Sequence, residues 1–318
     1  MLTLLLAGAL TLAPLGAQTA ASTATSTEVA LPSRPAPLYG TLLTPAGTTT
    51  AVAVIIPGSG PTDRDGNSPQ FGFNAGNLRL LAEGLAAHGV ATLRIDKRGI
   101  AQSVAAGFSE SEARFDTYAE DARAWAAEAA TRAGQPCAWL IGHSEGSLVA
   151  LRAVQTPDDK ICGVVSLAGA GRPAGVVLRE QFAGLPEPLK TQAYAAFTQL
   201  EAGHTVTDFP PQLASVFRLS VQPYLISWLP LDPAKLAAAY RGPLFIGQGT
   251  TDLQVTMTDA EALSAARPDA TLVRFEGANH MLKIAPTDRD ANLATYRDPA
   301  LPLAPGVVDA VAGFIASH

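Results

Sequence analysis

Short apolar runs recur along the chain, each ending in glycine or small polar residues. Ala51-Val52-Ala53-Val54-Ile55-Ile56 is apolar without interruption and reads as a strand buried on both faces. Val90–Ile95, Ala138–Gly142, Ile161–Leu167, Leu244–Gly247 and Thr271–Phe275 repeat the pattern. Helical spacing fills the intervals. Leu78, Leu81 and Leu85 mark one face of a helix over Ala75–His88, stopped at Gly89. Further helices are expected over Thr117–Arg132, from Ser144 to about Gln155, over Thr258–Ala266 and from about Pro305 to Ser317. Strands alternating with helices predict a parallel sheet with right-handed crossovers. Glu28–Leu31 and Leu38–Thr44 read as two short strands ahead of it, joined by a Pro-rich turn.

The alternation lapses between Arg172 and Arg241. That stretch has helical character, cut into pieces by Pro186, Pro188, Pro210, Pro211, Pro223, Pro230 and Pro233. About seventy residues without a convincing strand is too long for a loop. It is expected to be a helical insertion over the C-terminal edge of the sheet. The core is then built from 28–171 and 242–318, with the lid at 172–241.

The N-terminus belongs to neither. Leu2 to Leu15 is apolar and followed by Leu15-Gly16-Ala17, the apolar core and small-residue cleavage site of a signal peptide. Residues 1–17 are read as that signal, cleaved near Ala17 or Ala20, and 18–27 as a flexible leader. Its length is short for a membrane span. No cysteine follows for a lipid anchor. A secreted or periplasmic protein is expected, a tethered one second.

With 318 residues, 47% hydrophobic and 16% charged, the chain is globular. A net charge of -6 and the lack of a basic run exclude nucleic acid as a natural partner. Cys137 and Cys162 each stand just before an apolar run. If those strands are parallel neighbours, the cysteines sit level at their N-terminal ends. They either pair or remain two buried thiols. Neither lies where chemistry is expected.

The chemistry centres on Gly142-His143-Ser144-Glu145-Gly146. Gly-x-Ser-x-Gly between a buried strand and a helix puts a serine hydroxyl on a sharp turn, clear of the sheet. A serine needs a base within hydrogen-bond reach and an acid to orient that base. The chain has five histidines. His88 ends a helix at the far edge, and His143 is expected to point away from its neighbour Ser144. His204 is in the insertion and His318 is terminal. His280, in the loop after the last strand, is the best base. Asp252, in the loop after Leu244–Gly247, is the best acid, ahead of Asp259 (a cap or first-turn residue) and Asp269 (at the wrong strand end). The oxyanion needs two N–H donors. The backbone of Glu145 is one, and Ser59 in Pro57-Gly58-Ser59-Gly60 the other, with Gly60 as its alternative.

Asp63, Arg64 and Asp65 are read first as a lattice that shapes the loop after Ala51–Ile56, and second as contacts for a polar substrate. The Glu145 carboxylate beside the nucleophile should disfavour anionic substrates unless Arg64 or Arg98 pairs with it. No H-x-x-x-H or H-E-x-x-H occurs for a metal, and no G-x-x-x-x-G-K-[ST] for nucleotide phosphates. No cofactor is expected.

These residues resemble the α/β-hydrolase superfamily over nearly the whole mature chain. Pro57-Gly58-Ser59-Gly60-Pro61-Thr62-Asp63-Arg64-Asp65-Gly66-Asn67, Arg94-Ile95-Asp96-Lys97-Arg98-Gly99 and Gly142–Gly146 are similar to a bacterial branch. That branch holds serine-aminopeptidase-like hydrolases and the esterase D group. The resemblance implies an eight-stranded, mostly parallel sheet, a helical lid, and carboxylester hydrolysis on small acyl groups. It also supports Ser144, Asp252 and His280 as the triad. One departure is Ile100, where many relatives carry a second glycine; its loop is expected to lie away from the triad. The expected function is a serine carboxylester hydrolase on small-molecule esters. Amide or peptide hydrolysis, with Glu145 or Asp63 holding an amine, and thioester hydrolysis are the alternatives. A non-catalytic binding protein on the same scaffold comes last.

Overall fold

The computed structural model describes residues 23–107 and 109–318. Residues 1–17, read as a signal peptide, and the cleavage expected near Ala17 or Ala20 lie outside the described residues. The chain runs β1 (Thr25–Leu31), β2 (Leu38–Thr44), β3 (Ala51–Ile56), β4 (Asn67–Ser68), β5 (Phe73–Asn74), α1 (Asn77–Ala87), β6 (Val90–Ile95), α2 (Phe115–Ala133), β7 (Ala138–His143), α3 (Glu145–Ala153) and β8 (Ile161–Leu167). The lid follows with α4 (Ala174–Phe182), α5 (Leu189–Glu201), α6 (Ala214–Phe217), α7 (Gln222–Trp228) and α8 (Pro233–Ala239). The core resumes with β9 (Leu244–Gly249), α9 (Met257–Ala266), β10 (Thr271–Phe275), α10 (Arg289–Ala294) and α11 (Val307–Ser317).

Eight strands form one sheet in the order β1-β2-β6-β3-β7-β8-β9-β10. β1 and β2 are antiparallel to their neighbours, and from β6 onward every pair is parallel. Strand alternation sorts the core into two layers. Val52, Val54 and Ile56 of β3 face a cluster with Phe115, Trp125 and Leu148 from α2 and α3. Ala53 and Ile55 face the other side, with Leu78, Leu81, Val311 and Phe314 from α1 and α11. Both faces are covered, which is why the central strands carry no polar alternation.

β1 begins at Thr25, so the last residues assigned to a flexible leader are sheet instead. They pair with the far end of β2, Thr25 opposite Thr44. The small β4–β5 hairpin and α10 were not legible from periodicity, being too short to show one.

The insertion has a core of its own around Phe197, Leu200, Phe217 and Leu225. It is fastened at its first residue. Arg172 Nη2 reaches Asp259 Oδ2 at 2.8 Å, and that carboxylate is fully buried in the first turn of α9. At the opposite end of the sheet, Cys137 and Cys162 form a disulfide with Cα atoms 5.3 Å apart. β7 and β8 are parallel neighbours, and the register shift between Ala138 and Trp139 leaves Cys162 as the unpaired extra residue of β8, close to Cys137.

Candidate active site

Register brings the C-terminal ends of the central strands together. Ile56 pairs with Gly142, Gly142 with Ser166, and Ser166 with Ile246. Loops leaving these ends open onto a common crevice, where ligands of parallel sheets bind.

Ser144 sits between β7 and α3 at φ 55, ψ -121, a left-handed conformation that non-glycine residues avoid. The turn is so tight that its flanking positions have no room for side chains. A Cβ on Gly142 would fall 2.2 Å from the Gly146 carbonyl, and one on Gly146 2.3 Å from the Ile56 carbonyl. The serine hydroxyl is thereby presented to the crevice.

His280 lies in the loop after β10. Its Nδ1 donates to Asp252 Oδ2 at 2.8 Å, and both side chains are buried. That hydrogen bond leaves Nε2 as the acceptor nitrogen of the ring. Asp252 is held on all sides. Gln254 N at 2.8 Å and Val255 N at 3.0 Å donate to Oδ1, and Gln248 Nε2 donates to Oδ2 at 3.1 Å. Burial pushes the Asp252 carboxyl up, but the His280 charge and hydrogen bond and the Val255 and Gln254 amides outweigh it and hold it below the usual range. Ser144 and His280 line the same open cleft. Among the described residues Ser144 Oγ makes no hydrogen bond to protein, so the hydroxyl is not committed elsewhere.

Two further expectations meet at Ser144. Ser59 and Glu145 border a cavity of about 110 Å³ on one side of it, with Leu148, Val177 and Trp228 forming apolar wall. Among the described residues neither backbone N–H of the pair donates to a protein acceptor. For Glu145 this follows from its place in the first turn of α3, where N–H groups lack intrahelical partners. Gly60 borders only the open cleft, about 490 Å³, which runs past Phe71, Phe73, His143 and Met281.

Among the described residues the His143 side chain makes no hydrogen bond to Ser144; its Nε2 meets the His280 carbonyl at 2.7 Å. Other expectations need correction. Neither Arg64 nor Arg98 pairs with Glu145. Arg64 is taken up by Asp96 and Glu28, and Arg98 by Asp121 and the Arg34 and Ala106 carbonyls. The partner is Lys97, 3.0 Å from Glu145 Oε1. The Tyr224 hydroxyl from the lid donates to Oε2 at 2.8 Å. Lys97, three residues before Ile100, thus reaches the residue next to Ser144.

Asp63 accepts from the Asp65 and Asn67 amides, and Asp65 pairs with Arg94. The charged loop is the lattice expected of it. Lys97, Gln248 and Tyr224 were not singled out as site residues. Lys97 carried a legible signal, a charged residue just past a strand's C-terminal end. Gln248 and Tyr224 carried none, since their partners come from other segments.

Comparison with known proteins agrees with this architecture. Residues 71–214 match the family model of the serine aminopeptidases, S33. No curated protein sequence is significantly similar to the chain. Among solved structures, Est1E from Butyrivibrio proteoclasticus superposes with a TM-score of 0.57 at 18% identity, covering 91% of this chain and 98% of that one. The Pyrococcus furiosus esterase Pf2001 gives 0.55 at 16% identity, covering 92% and 93%. A proline iminopeptidase from Mycobacterium smegmatis gives 0.57 at 13% identity, covering 92% and 98%. The chain thus has the α/β-hydrolase fold, and its residues 71–214 are similar to the serine aminopeptidases.

Proposed function

We propose that the protein is a serine carboxylester hydrolase acting on small or short-acyl esters. The observation that carries this reading is His280, paired with Asp252, lining the same cleft as an uncommitted Ser144 hydroxyl. In the proposed reaction Ser144 Oγ attacks the ester carbonyl while His280 Nε2 takes its proton. Asp252, kept ionised, fixes the ring and stabilises the imidazolium that forms. The Ser59 and Glu145 amides receive the oxyanion. His280 then protonates the leaving alcohol, and water, activated by the same nitrogen, cleaves the acyl-enzyme. The residues supply every proton transfer.

The family match and the iminopeptidase likeness favour amide hydrolysis as a second reading. That reading requires a carboxylate free to hold a substrate amine. Both candidates are occupied, Glu145 by Lys97 and Tyr224, and Asp63 by backbone amides. This supports the ester. The test is a panel of p-nitrophenyl esters against aminoacyl anilides, with fluorophosphonate labelling of Ser144. Turnover of acetate and butyrate esters without anilide cleavage is expected. Anilide cleavage exceeding ester cleavage would reverse the order of the two readings, and an unlabelled Ser144 would remove both.

Export to an oxidising compartment is part of the same proposal. The Cys137–Cys162 bond supports it, because such bonds persist outside the cytosol. Mass determination of the mature N-terminus tests cleavage near Ala17 or Ala20.

A further inference from the structure

Lys97 follows β6 at the C-terminal edge of the sheet, beside β3. Its side chain is only 5% exposed. The ammonium makes two contacts, to the Gly58 carbonyl at 2.5 Å and to Glu145 Oε1 at 3.0 Å. The proposed chemistry uses neither acceptor. Each contact nevertheless falls on a residue next to, or carrying, one of the oxyanion donors.

The Gly58 carbonyl and the Ser59 N–H belong to one planar trans peptide and point in opposite directions. Drawing the carbonyl toward Lys97 turns the N–H the other way, toward the nucleophile. Gly58 is already pressed against it, since a Cβ there would lie 3.1 Å from Ser144 Cβ. A cation on the carbonyl also polarises that peptide and strengthens its N–H as a donor. The second donor belongs to Glu145, whose carboxylate Lys97 grips. The other carboxylate oxygen is held from the lid by Tyr224 at 2.8 Å. The Tyr118 ring, with its centroid 5.6 Å from Nζ, closes the remaining side.

We propose that Lys97 is the positioning residue of the oxyanion hole, fixing both donor peptides from behind, and that Glu145 and Tyr224 extend this tether to the lid. The proposal rests on the ester-hydrolase reading. Lys97 touches no reacting atom and acts through the two peptides it holds.

The test is Lys97→Met, which keeps the stem and removes the charge. On p-nitrophenyl acetate kcat should fall about 100-fold, the size of losing one oxyanion donor, with KM unchanged within about twofold. Affinity for an alkyl trifluoromethyl ketone, whose adduct places an oxyanion in the same hole, should fall in proportion to kcat. A residue that merely stabilised the fold would lower Tm and leave the ketone affinity of the folded fraction alone. Unchanged kcat, or reduced kcat with unchanged ketone affinity, overturns the proposal. If Lys97→Met does not fold, Lys97→Arg decides. Its planar fork keeps the charge but not the two-way contact, so kcat and ketone affinity should fall at least tenfold, and retention of both overturns the proposal. Failure of the underlying reading is distinguishable, because the unaltered protein would then neither turn over the ester nor label at Ser144.

Discussion

His143 and His280 are joined through side chain and backbone: the His143 Nε2 donates to the His280 carbonyl at 2.7 Å. A carbonyl can only accept, so Nε2 carries a proton, and burial, which pushes the imidazole down to about 4, keeps the ring neutral at pH 7. The two rings lie 5.0 Å apart between centroids. The residue before the nucleophile thus anchors the loop of the base.

Replacing that donor should loosen the base without touching the serine. His143→Phe keeps an aromatic ring and leaves the His280 carbonyl without its partner. We expect kcat on p-nitrophenyl acetate to fall about tenfold with little change in KM, and stability to fall by about 1–3 kcal/mol in urea denaturation. Full activity in the variant would show that the anchor is dispensable.

The same residue predicts acid sensitivity. Burial, with the neighbouring His280 charge second, pushes the His143 imidazole down to about 4 from 6.5. A histidine that must stay neutral when folded contributes fully above the unfolded value and less as pH falls. Stability should therefore decline between pH 6.5 and about 4, by on the order of 3 kcal/mol. Asp252, held low, contributes above its ordinary 3.8 and adds its loss only as pH drops through its folded value. Urea curves at pH 7, 5.5 and 4.5 measure this. A flat profile in the unaltered protein, or the same slope in His143→Phe, would contradict the assignment.

The disulfide and the site lie at opposite ends of β7. Cys137 and Cys162 are 25 residues apart, and closing a loop of that size stabilises by about 3 kcal/mol in the chain-entropy account. Changing both cysteines to serine should lower Tm by several degrees while leaving kcat and KM at 25 °C within about twofold. A large change in kcat would mean that strain at the lower end of β7 reaches Ser144.

The lid should set acyl length. Val177 of α4 and Trp228 of α7 wall the cavity beside Ser144. Filling it with Val177→Trp should lower kcat/KM for butyrate by about tenfold or more and spare acetate, the range that single methylenes command in a closed pocket. Equal losses on both esters would place the acyl group in the open cleft instead.

Much of this architecture follows from local pattern. β3 and β6 to β10 coincide closely with the apolar runs, because the central strands are buried on both faces and are mostly apolar; β10, at the sheet edge, leaves Thr271 and Arg274 exposed. Ser144, Asp252 and His280 were legible for a related reason. Loops at the C-terminal ends of parallel strands must converge, so strand order and loop membership narrow the candidates. Glu145 shows where this stops. Its neighbours along the chain gave no reason to prefer Lys97 over Arg64 or Arg98. That choice depends on which side chain at the end of β6 points across β3 toward the elbow, and on which ones the loop lattice has already engaged.

Sequence by itself determined the sheet, the interruption by the lid and the identity of the three residues proposed for the chemistry. The first two rest on periodicity, and the three residues on the Gly-x-Ser-x-Gly pattern and on the loops that Asp252 and His280 occupy. Tertiary structure alone decided that Cys137 and Cys162 are bonded, that His143 faces the base loop, and that Lys97 joins the Gly58 carbonyl to Glu145. These contacts link segments distant in sequence. Their geometry is set by strand register and lid packing, which no local pattern of residues encodes.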